Sequence, residues 1–236
     1  MKRTLRYPRW RLVIGNNTPT VRSRRLLNSI RRWFTKPKSI SIWEVPQPVN
    51  HAVWLDRFMN ESDTPYWIHV DSDIMFLRGD CICDLMKVMH HQPNCGLLSA
   101  EAKPASFEVR EPVGGILSDG AEAPSTWLMA GRREIRETAS FRSFAVEVDH
   151  CRERPLIYDT GAKLIAALPS SGMHHAVMPC WFRRKYYHFG NLSWFRDYMD
   201  SSSRYFALKE FQIDWITRQV KRRLSQLNLG DGDGPF

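Results

Sequence analysis

The chain has 236 residues, 43% of them hydrophobic and 25% charged, with a formal net charge of +9. This length and composition fit one globular domain and exclude a wholly disordered chain or a fibrous repeat. The charge is unevenly distributed, because residues 1–43 contain twelve lysines or arginines and all 25 acidic residues lie after them. The basic end therefore predicts an anionic partner: a lipid surface, a nucleic acid or a nucleotide diphosphate.

No window of the sequence approaches 18 uninterrupted apolar residues, and the basic start reaches Pro8 without an apolar segment. We therefore expect neither a membrane-spanning helix nor a secretory signal. The five cysteines are odd in number and unevenly spread, which is typical of reduced thiols. These features predict a cytoplasmic protein, and the basic residues at 1–43 add peripheral contact with an anionic membrane as an expectation.

The first 70 residues alternate short apolar runs with helical patterns. Strands are predicted where apolar or alternating runs end at polar turns or prolines, and helices where apolar residues recur every three or four positions. In chain order the elements are a strand at 11–15, a basic amphipathic helix at 26–34, a strand at 39–43, a helix capped by Asn50 and a strand at 66–70. Such strand–helix units predict an α/β fold with a mostly parallel, mixed sheet flanked by helices.

After residue 70, the predicted helices and strands are more widely spaced. The predicted elements are a helix at 83–90, a strand at 95–100, an irregular segment at 101–124, a strand at 125–130, a helix capped by Asp159 and ended by Ser170–Gly172, a helix at 213–227 and a disordered tail at 230–236. In α/β folds, ligands bind at the carboxyl ends of the strands. The strand at 66–70 has polar residues at that end, which makes it the first place to expect a site.

Two aspartates, Asp71 and Asp73, directly follow the strand at 66–70. Burying both carboxylates without a partner would be costly, and alternate positions of an extended strand lie roughly 7 Å apart. One carboxylate can therefore ligate a divalent cation directly, while the other reaches the cation through water or binds a ribose hydroxyl. The alternative is an Asx-turn in which both residues only cap a loop.

This Asp-x-Asp pattern, with several further stretches, resembles glycosyltransferases of the GT-A fold, in particular the large family 2 type. The signature of that family is an Asp-x-Asp triplet that ends a strand of the nucleotide-sugar-binding half. The further stretches are the turn at 13–18, the helix after Asn50, the segment 127–133, the helix start at 158–161 and the His-containing segment 188–194. The resemblance covers about residues 11–195. One departure is the pair Tyr158-Asp159, which stands where the family usually has Glu-Asp.

The resemblance implies a role for each of these stretches. It implies Asp159 as the catalytic base, Asn16, Asn17, Asn50 and Asp71 as nucleotide-sugar contacts, Asp71, Asp73 and His188 as metal ligands, and Trp127, Met129, Thr160 and Gly161 as acceptor contacts. The activity that follows is metal-dependent, inverting transfer of a sugar from a nucleotide sugar to an acceptor hydroxyl. An imidazole beside carboxylates suits Mn²⁺ better than Mg²⁺, so manganese is the first metal expected and magnesium the alternative.

The expected partners follow from the same resemblance and from the charge. The donor is expected to be a UDP-sugar, and the acceptor a saccharide, a lipid-linked glycan or a hydroxymethylated DNA base. We expect a single domain over 1–229, with a nucleotide-sugar-binding half at 1–100, an acceptor half at 101–195 and a helical part at 196–229.

Two other classes of function stay open at this point. Asp71 or Asp73 with Glu101 and Lys103 could form the acids and Glu-x-Lys pair of a metal-dependent nuclease, with the basic end on DNA. Alternatively, the nine tryptophans and the basic helix could belong to a non-catalytic module that binds carbohydrate or lipid. The nuclease hypothesis explains the charge but assigns no role to Asp159 or His188.

Overall fold

The computed structural model of the protein describes residues 10–17, 19–33, 40–104, 122–137, 143–145, 147–149, 156–158 and 160–188, with 214, 215 and 218. The chain divides into two compact units, Met1–Tyr187 and His188–Phe236. All the elements below that position the candidate site belong to the first unit. The predicted helix at 213–227 and the tail at 230–236 fall almost wholly outside the described residues.

Four α-helices and twelve strands alternate along the described chain. The helices are α1 (Val21–Trp33), α2 (His51–Glu61), α3 (Cys81–His91) and α4 (Ala162–Ala167). The strands are β1 (Leu12–Asn16), β2 (Ile40–Glu44), β3 (Tyr66–Val70), β4 (Ile74–Phe76), β5 (Cys95–Ser99), β6 (Ala102–Pro104), β7 (Glu122–Pro124), β8 (Leu128–Arg132), β9 (Glu147–Asp149), β10 (Leu156–Tyr158), β11 (His174–Val177) and β12 (Tyr186–His188). Short 3-10 turns cover Arg133–Glu137, Leu168–Ser171 and Cys180–Lys185.

The central sheet has four strands in the order β11-β5-β8-β3. Strands β11 and β5 run parallel, and β8 runs antiparallel to both of its neighbours, β5 and β3. The predicted class, a mixed sheet flanked by helices, is therefore confirmed. The first two strands form a separate parallel pair, with Leu12 opposite Ile40 and Asn16 opposite Glu44.

The central sheet carries a hydrophobic core on each face, because side chains alternate along its strands. On β8, Met129 packs on one side, whereas Leu128 and Ala130 pack on the other. The side of Met129 is covered by Leu55 and Met59 of α2 and by Leu164 of α4; the opposite side is covered by Leu85 and Met89 of α3, with Phe182. This sandwich fixes α2 against the face of β3 that leads to the candidate site.

The β1–β2 pair packs on α2 through aromatic side chains. Phe58 stacks between Trp43 and Trp54, with ring centroids 5.5 Å from each. A Cβ atom at Gly15 would lie 2.9 Å from the Trp54 ring and 3.0 Å from Phe58, so only glycine permits this close approach of β1 to α2. The turn after β1 therefore lies beside the start of α2.

Two sequence-based boundaries were wrong. The strand expected at 125–130 begins instead at Leu128, because Ser125 starts a turn in which the Leu128 N–H donates to the Ser125 carbonyl at 3.2 Å. The helix expected to be capped by Asp159 begins at Ala162, and Gly161 occupies its N-cap position with a φ of 80°. A glycine tolerates this left-handed backbone without a steric penalty.

Other boundaries agree with the sequence. Asn50 caps α2 as expected, since its Oδ1 accepts a hydrogen bond from the Ala52 N–H at 2.9 Å. Strand β3 has the predicted limits, and Gly172 ends the 3-10 turn after α4 in a left-handed conformation. The segment expected to be irregular at 101–124 contains the paired strands β6 and β7, and its residues 105–121 lie outside the described part. Among the described residues, no helix is both long and apolar enough to span a membrane.

Candidate functional site

The Asp-x-Asp triplet forms a turn at the carboxyl end of β3. The Asp71 N–H donates to the Trp127 carbonyl at 2.8 Å, which extends the β3–β8 pairing by one residue. The Ile74 N–H then donates to the Asp71 carbonyl at 3.2 Å, which closes the turn and leads into β4. Asp71 and Asp73 are therefore both held on a turn that is closed by a main-chain hydrogen bond.

Two histidines converge with Asp71 at this turn. The Nε2 atom of His69 lies 2.7 Å from Asp71 Oδ1, and the Nε2 atom of His51 lies 3.2 Å from the same oxygen. The two Nε2 atoms are 3.3 Å apart. In the part of the chain that the structure describes, this is the one group of three His, Cys, Asp or Glu side chains with ligand atoms close enough to share a metal ion.

The sequence explains how these three side chains meet. His69 and Asp71 are two residues apart on an extended segment, so both side chains point to the same face of the sheet. His51 is the first residue of α2, and the Asn50 cap sets where that helix begins. Because α2 packs on the same face of β3, its first turn places the His51 ring 5.3 Å from the His69 ring.

Hydrogen bonding and burial set the charge at the cluster. Burial raises the pKa of Asp71, but hydrogen bonds from His51 and His69 outweigh this effect and hold that pKa well below its ordinary value. Burial lowers the pKa of His69, and the hydrogen bond to Asp71 opposes that shift only in part. The favoured state at neutral pH is therefore an ionised carboxylate beside a neutral imidazole, which are the forms that ligate metals.

The amides expected to contact the nucleotide all bond to the protein itself. Asn16 is buried and donates to Glu44 Oε1 at 2.9 Å. Asn17 exchanges hydrogen bonds with the backbone of Val49, and Asn50 caps α2. These contacts order the loops around the candidate site, and a direct role of the three amides in nucleotide binding stays a prediction.

The residues expected to contact the acceptor lie on different elements. Met129 is completely buried in the core, whereas Trp127 is half-buried in the turn before β8. Thr160 is half-buried, and Gly161 is buried against Pro124 and Phe144, to which an added Cβ would approach within 2.6 Å and 2.9 Å. The absence of a side chain at Gly161 thus serves packing within the chain, and acceptor contact by these four residues stays a prediction.

Two expected site residues are not placed relative to this cluster. Asp159, the expected base, lies outside the described residues. His188 is half-buried at the end of β12 and is the first residue of the second unit. Its role as a metal ligand stays a prediction.

Glu101, which the nuclease hypothesis needs at a metal ion, is engaged elsewhere. Its carboxylate accepts hydrogen bonds from the Tyr186 hydroxyl and from the Arg183 guanidinium. Burial raises the pKa of Tyr186, and the hydrogen bond to Glu101 raises it further, so this hydroxyl remains a donor. The contacts of Glu101 give the nuclease hypothesis no support.

Sequence reasoning missed His51 and His69 as candidate ligands. One signal was available: His69 stands two residues before Asp71 on a strand, so the two side chains share a face. The contribution of His51 carried no such signal, because it depends on where α2 crosses the end of β3.

Comparison with known proteins gives a likeness of fold. No protein-family model matches the sequence, and no curated protein matches it. Among solved structures, the chain is similar to the mannosyltransferase PcManGT from Pyrobaculum calidifontis, in complex with GDP-Man and Mn²⁺. The TM-score is 0.50 at 15% sequence identity, and the likeness covers 75% of this chain and 48% of the mannosyltransferase. The chain thus has a glycosyltransferase-like fold and spans about half the length of that relative.

Proposed function

We propose that the protein is a metal-dependent glycosyltransferase that moves a sugar from a nucleotide-sugar donor to an acceptor hydroxyl. The observation that carries the proposal is the position of Asp71, an ionised carboxylate at the carboxyl end of β3 in a glycosyltransferase-like fold. Ligands of α/β sheets bind at that edge. The structurally similar mannosyltransferase is in complex with GDP-Man and Mn²⁺, which agrees in kind with the cofactor and donor expected from the sequence.

The chemistry needs a group that accepts the charge of the leaving nucleotide diphosphate. A divalent ion, when bound, supplies positive charge to those phosphate oxygens. Asp71 would hold the ion, and Asp73 on the same turn would support it directly or through water, or bind the ribose. The side chain of Asp71 is partly exposed, so a donor can approach the turn from solvent.

Inverting transfer also needs a base that removes the proton of the acceptor hydroxyl as it attacks the anomeric carbon. We assign this role to Asp159, which the resemblance places at the start of the helix that follows β10. In the structure, Gly161 occupies the N-cap of that helix, so Asp159 precedes the cap instead of forming it. Its proposed function is chemical.

Nucleotide-sugar hydrolysis and transfer test the proposal. Purified protein with Mn²⁺ should release a nucleoside diphosphate from one member of a panel that includes UDP-glucose, UDP-N-acetylglucosamine and GDP-mannose. Chelation should stop the release, and added Mn²⁺ should restore it. If every donor in the panel stays intact with Mn²⁺ and with a mixture of saccharide, lipid-linked and hydroxymethylated DNA acceptors, the protein is not such an enzyme.

The base is tested by Asp159→Asn, which keeps the size of the side chain but cannot accept a proton. Loss of a general base lowers rates by roughly a hundredfold to ten-thousandfold. We expect transfer to fall within that range while donor binding and the melting temperature are retained. Transfer within a few-fold of wild type would contradict the assignment.

A further inference from the structure

We propose that His51 and His69 complete a metal site with Asp71, as a two-histidine, one-carboxylate ligand set for a divalent first-row transition ion. This ligand set differs from the one expected from the sequence, which paired Asp71 with Asp73 and His188. For its catalytic role the site rests on the function proposed above. Its ability to bind a metal can be measured without any donor sugar.

The geometry of the three ligand atoms supports this set. The distances among Nε2 of His51, Nε2 of His69 and Oδ1 of Asp71 are 2.7, 3.2 and 3.3 Å. Ligand atoms about 2.1 Å from a shared tetrahedral ion lie roughly 3.4 Å from each other. Two of the separations are within about 0.2 Å of this value, and the His69–Asp71 separation would have to widen by about 0.7 Å for all three atoms to contact one ion.

Hydrogen bonds and a bound cation are alternative ways to satisfy these three atoms. If both imidazoles donate from Nε2, the single oxygen Asp71 Oδ1 accepts two hydrogen bonds, and the two donor nitrogens lie 3.3 Å apart. If one Nε2 accepts from the other, only one imidazole can donate to the carboxylate. A cation satisfies all three atoms at once, because each presents a lone pair to it.

The surroundings hold the ligands and leave one side open. His69 is 9% exposed, and its ring lies 5.9 Å from the ring of Phe58, which restrains its orientation. The side chains of His51 and Asp71 are 40% and 30% exposed. An ion bound here would therefore be reached from solvent on the side of His51, where further oxygen ligands such as a diphosphate can approach.

The donor atoms determine the class of ion. Two imidazole nitrogens and one carboxylate oxygen suit Mn²⁺, Fe²⁺, Co²⁺ or Zn²⁺, whereas Mg²⁺ prefers an octahedron of oxygen ligands. We therefore expect the site to prefer a transition ion over Mg²⁺, and we choose Mn²⁺ as the probe because its paramagnetism reports coordinated nitrogen.

The experiment compares Mn²⁺ binding to the wild-type chain, His51→Ala and His174→Ala. His51 begins α2 with a partly exposed side chain, so alanine should leave the fold intact; His174 is an exposed histidine outside the cluster and is the matched control. We expect the wild type and the control to bind one Mn²⁺ with equal affinity. Pulsed EPR should detect two histidine nitrogens in both. His51→Ala should bind at least about tenfold more weakly and show one nitrogen, by analogy with the losses seen when metal surroundings are altered.

A second variant, His69→Gln, tests the buried ligand by replacing its imidazole. Circular dichroism is used to confirm that this variant folds. If Mn²⁺ binds with no nitrogen coupling, or equally tightly to wild type and His51→Ala, the ligand set is wrong. If either of these outcomes is found while donor hydrolysis is intact, the glycosyltransferase proposal is retained with an ion that is bound by oxygen ligands. Conversely, nitrogen-ligated Mn²⁺ in a protein that cleaves no donor would support the metal site and contradict the proposed activity.

Discussion

Asn17 and Val49 exchange two hydrogen bonds, each 2.9 Å long, between the side-chain amide of the first and the backbone N–H and carbonyl of the second. Asn17 Oδ1 also accepts from Trp54 Nε1 at 2.9 Å. The turn after β1 is thereby tied to the loop that immediately precedes Asn50 and His51. The position of His51 thus depends on an amide some thirty residues earlier, in the turn where the resemblance implies a nucleotide contact.

Asn17→Ala should therefore destabilise the fold. Removing the amide leaves the Val49 backbone and the Trp54 indole N–H without these partners, and each partly buried polar group left unpaired costs about 1–3 kcal/mol. We expect the free energy of unfolding in urea to fall by at least about 1 kcal/mol. Asn28→Ala is the control, because Asn28 lies on the exposed surface of α1. Equal stability of the wild type and Asn17→Ala, with weaker nucleotide binding, would instead identify Asn17 as a donor contact.

Substitutions of Asp71 and of Asp73 should have different effects on metal binding. Asp71→Asn removes the charge that holds both histidines in place, so metal binding and donor hydrolysis should be lost together. Asp73→Ala should abolish transfer, as expected of the second acid at the diphosphate, but it leaves the three converging atoms intact. We therefore expect Asp73→Ala to retain Mn²⁺ binding within a few-fold of wild type in a dialysis measurement. An Asp73→Ala protein as active as wild type would exclude a catalytic role for this residue.

Features that adjacent residues specify could be predicted from the sequence, whereas features that depend on packing between distant elements could not. The Asn50 cap and the limits of β3 were correct, because a cap and an apolar strand are specified by adjacent residues. The expectation of a site at the end of β3 rests on the same kind of local pattern and stays a prediction. The position of His51 could not be predicted, since it requires α2 to pack on one face of β3 through the side chains of both elements. The start of β8 was misjudged because the apolar pattern does not reveal the turn at Ser125.

The cysteines should differ in reactivity according to burial. Cys81, Cys83, Cys95 and Cys180 are free thiols, as the sequence predicted, and Cys151 lies outside the described residues. Burial raises the pKa of Cys81 to about 12, with Asp84 contributing to the shift, whereas Cys180 is exposed. Because alkylation requires the thiolate, iodoacetamide at pH 8 should modify Cys180 quickly and leave native Cys81 intact. Peptide mass spectrometry reads out both sites, and rapid modification of Cys81 in the folded protein would contradict its burial.

The raised pKa of Cys81 makes a contribution to the free energy of unfolding that depends on pH. The folded state keeps the Cys81 proton at pH values where the unfolded thiol, with a pKa near 9.0, has lost it. This contribution is complete below about pH 9 and is lost as the pH rises toward 12. We expect the stability difference between wild type and Cys81→Ala to shrink over that interval in urea titrations at increasing pH. A difference that stays constant from pH 8 to pH 11 would show that the pKa of Cys81 is not raised.

Helix α1 should bind anionic surfaces. Arg22, Arg25 and Arg31 are exposed along it, next to the exposed apolar side chains of Val21 and Leu26. Each arginine near an anionic membrane contributes about 1 kcal/mol, which corresponds to roughly fivefold in affinity. Arg22→Ala should weaken binding to phosphatidylserine vesicles by about that factor, and 0.5 M salt should weaken wild-type binding strongly.

Arg24→Ala is the control for this measurement. The Arg24 guanidinium bonds to Glu44 at 2.9 and 3.1 Å, so its charge is already partly compensated. Its removal should therefore affect vesicle binding less than removal of Arg22. Duplex DNA is titrated in parallel, and salt-sensitive binding to DNA alone would assign the basic helix to a nucleic acid. No binding to either at low salt would leave α1 as a solvated surface.

A comparison of Gly161 with Gly172 separates the effect of packing at the start of α4 from the effect of backbone strain alone. Both have positive φ, 80° and 69°, so alanine at either position adopts a backbone conformation that costs about 1–2 kcal/mol. They differ in their surroundings: a Cβ at Gly172 meets nothing within 4 Å, whereas one at Gly161 would lie 2.6 Å from Pro124 and 2.9 Å from Phe144. Overpacking of this kind costs a further 1–3 kcal/mol or so.

Gly161→Ala should therefore lower the melting temperature clearly more than Gly172→Ala. The steric conflict has a second consequence, because the Gly161 N–H donates to the Phe144 carbonyl at 3.1 Å, and Asp56 of α2 accepts from the Phe144 N–H at 2.6 Å. The start of α4 is thus linked to the helix that begins with His51. Because the proposed base, Asp159, stands two residues before Gly161 in the sequence, we expect Gly161→Ala to reduce transfer while Mn²⁺ binding at the end of β3 persists. If Gly161→Ala and Gly172→Ala lose equal stability and both transfer sugar normally, the packing at Gly161 does not matter for the reaction.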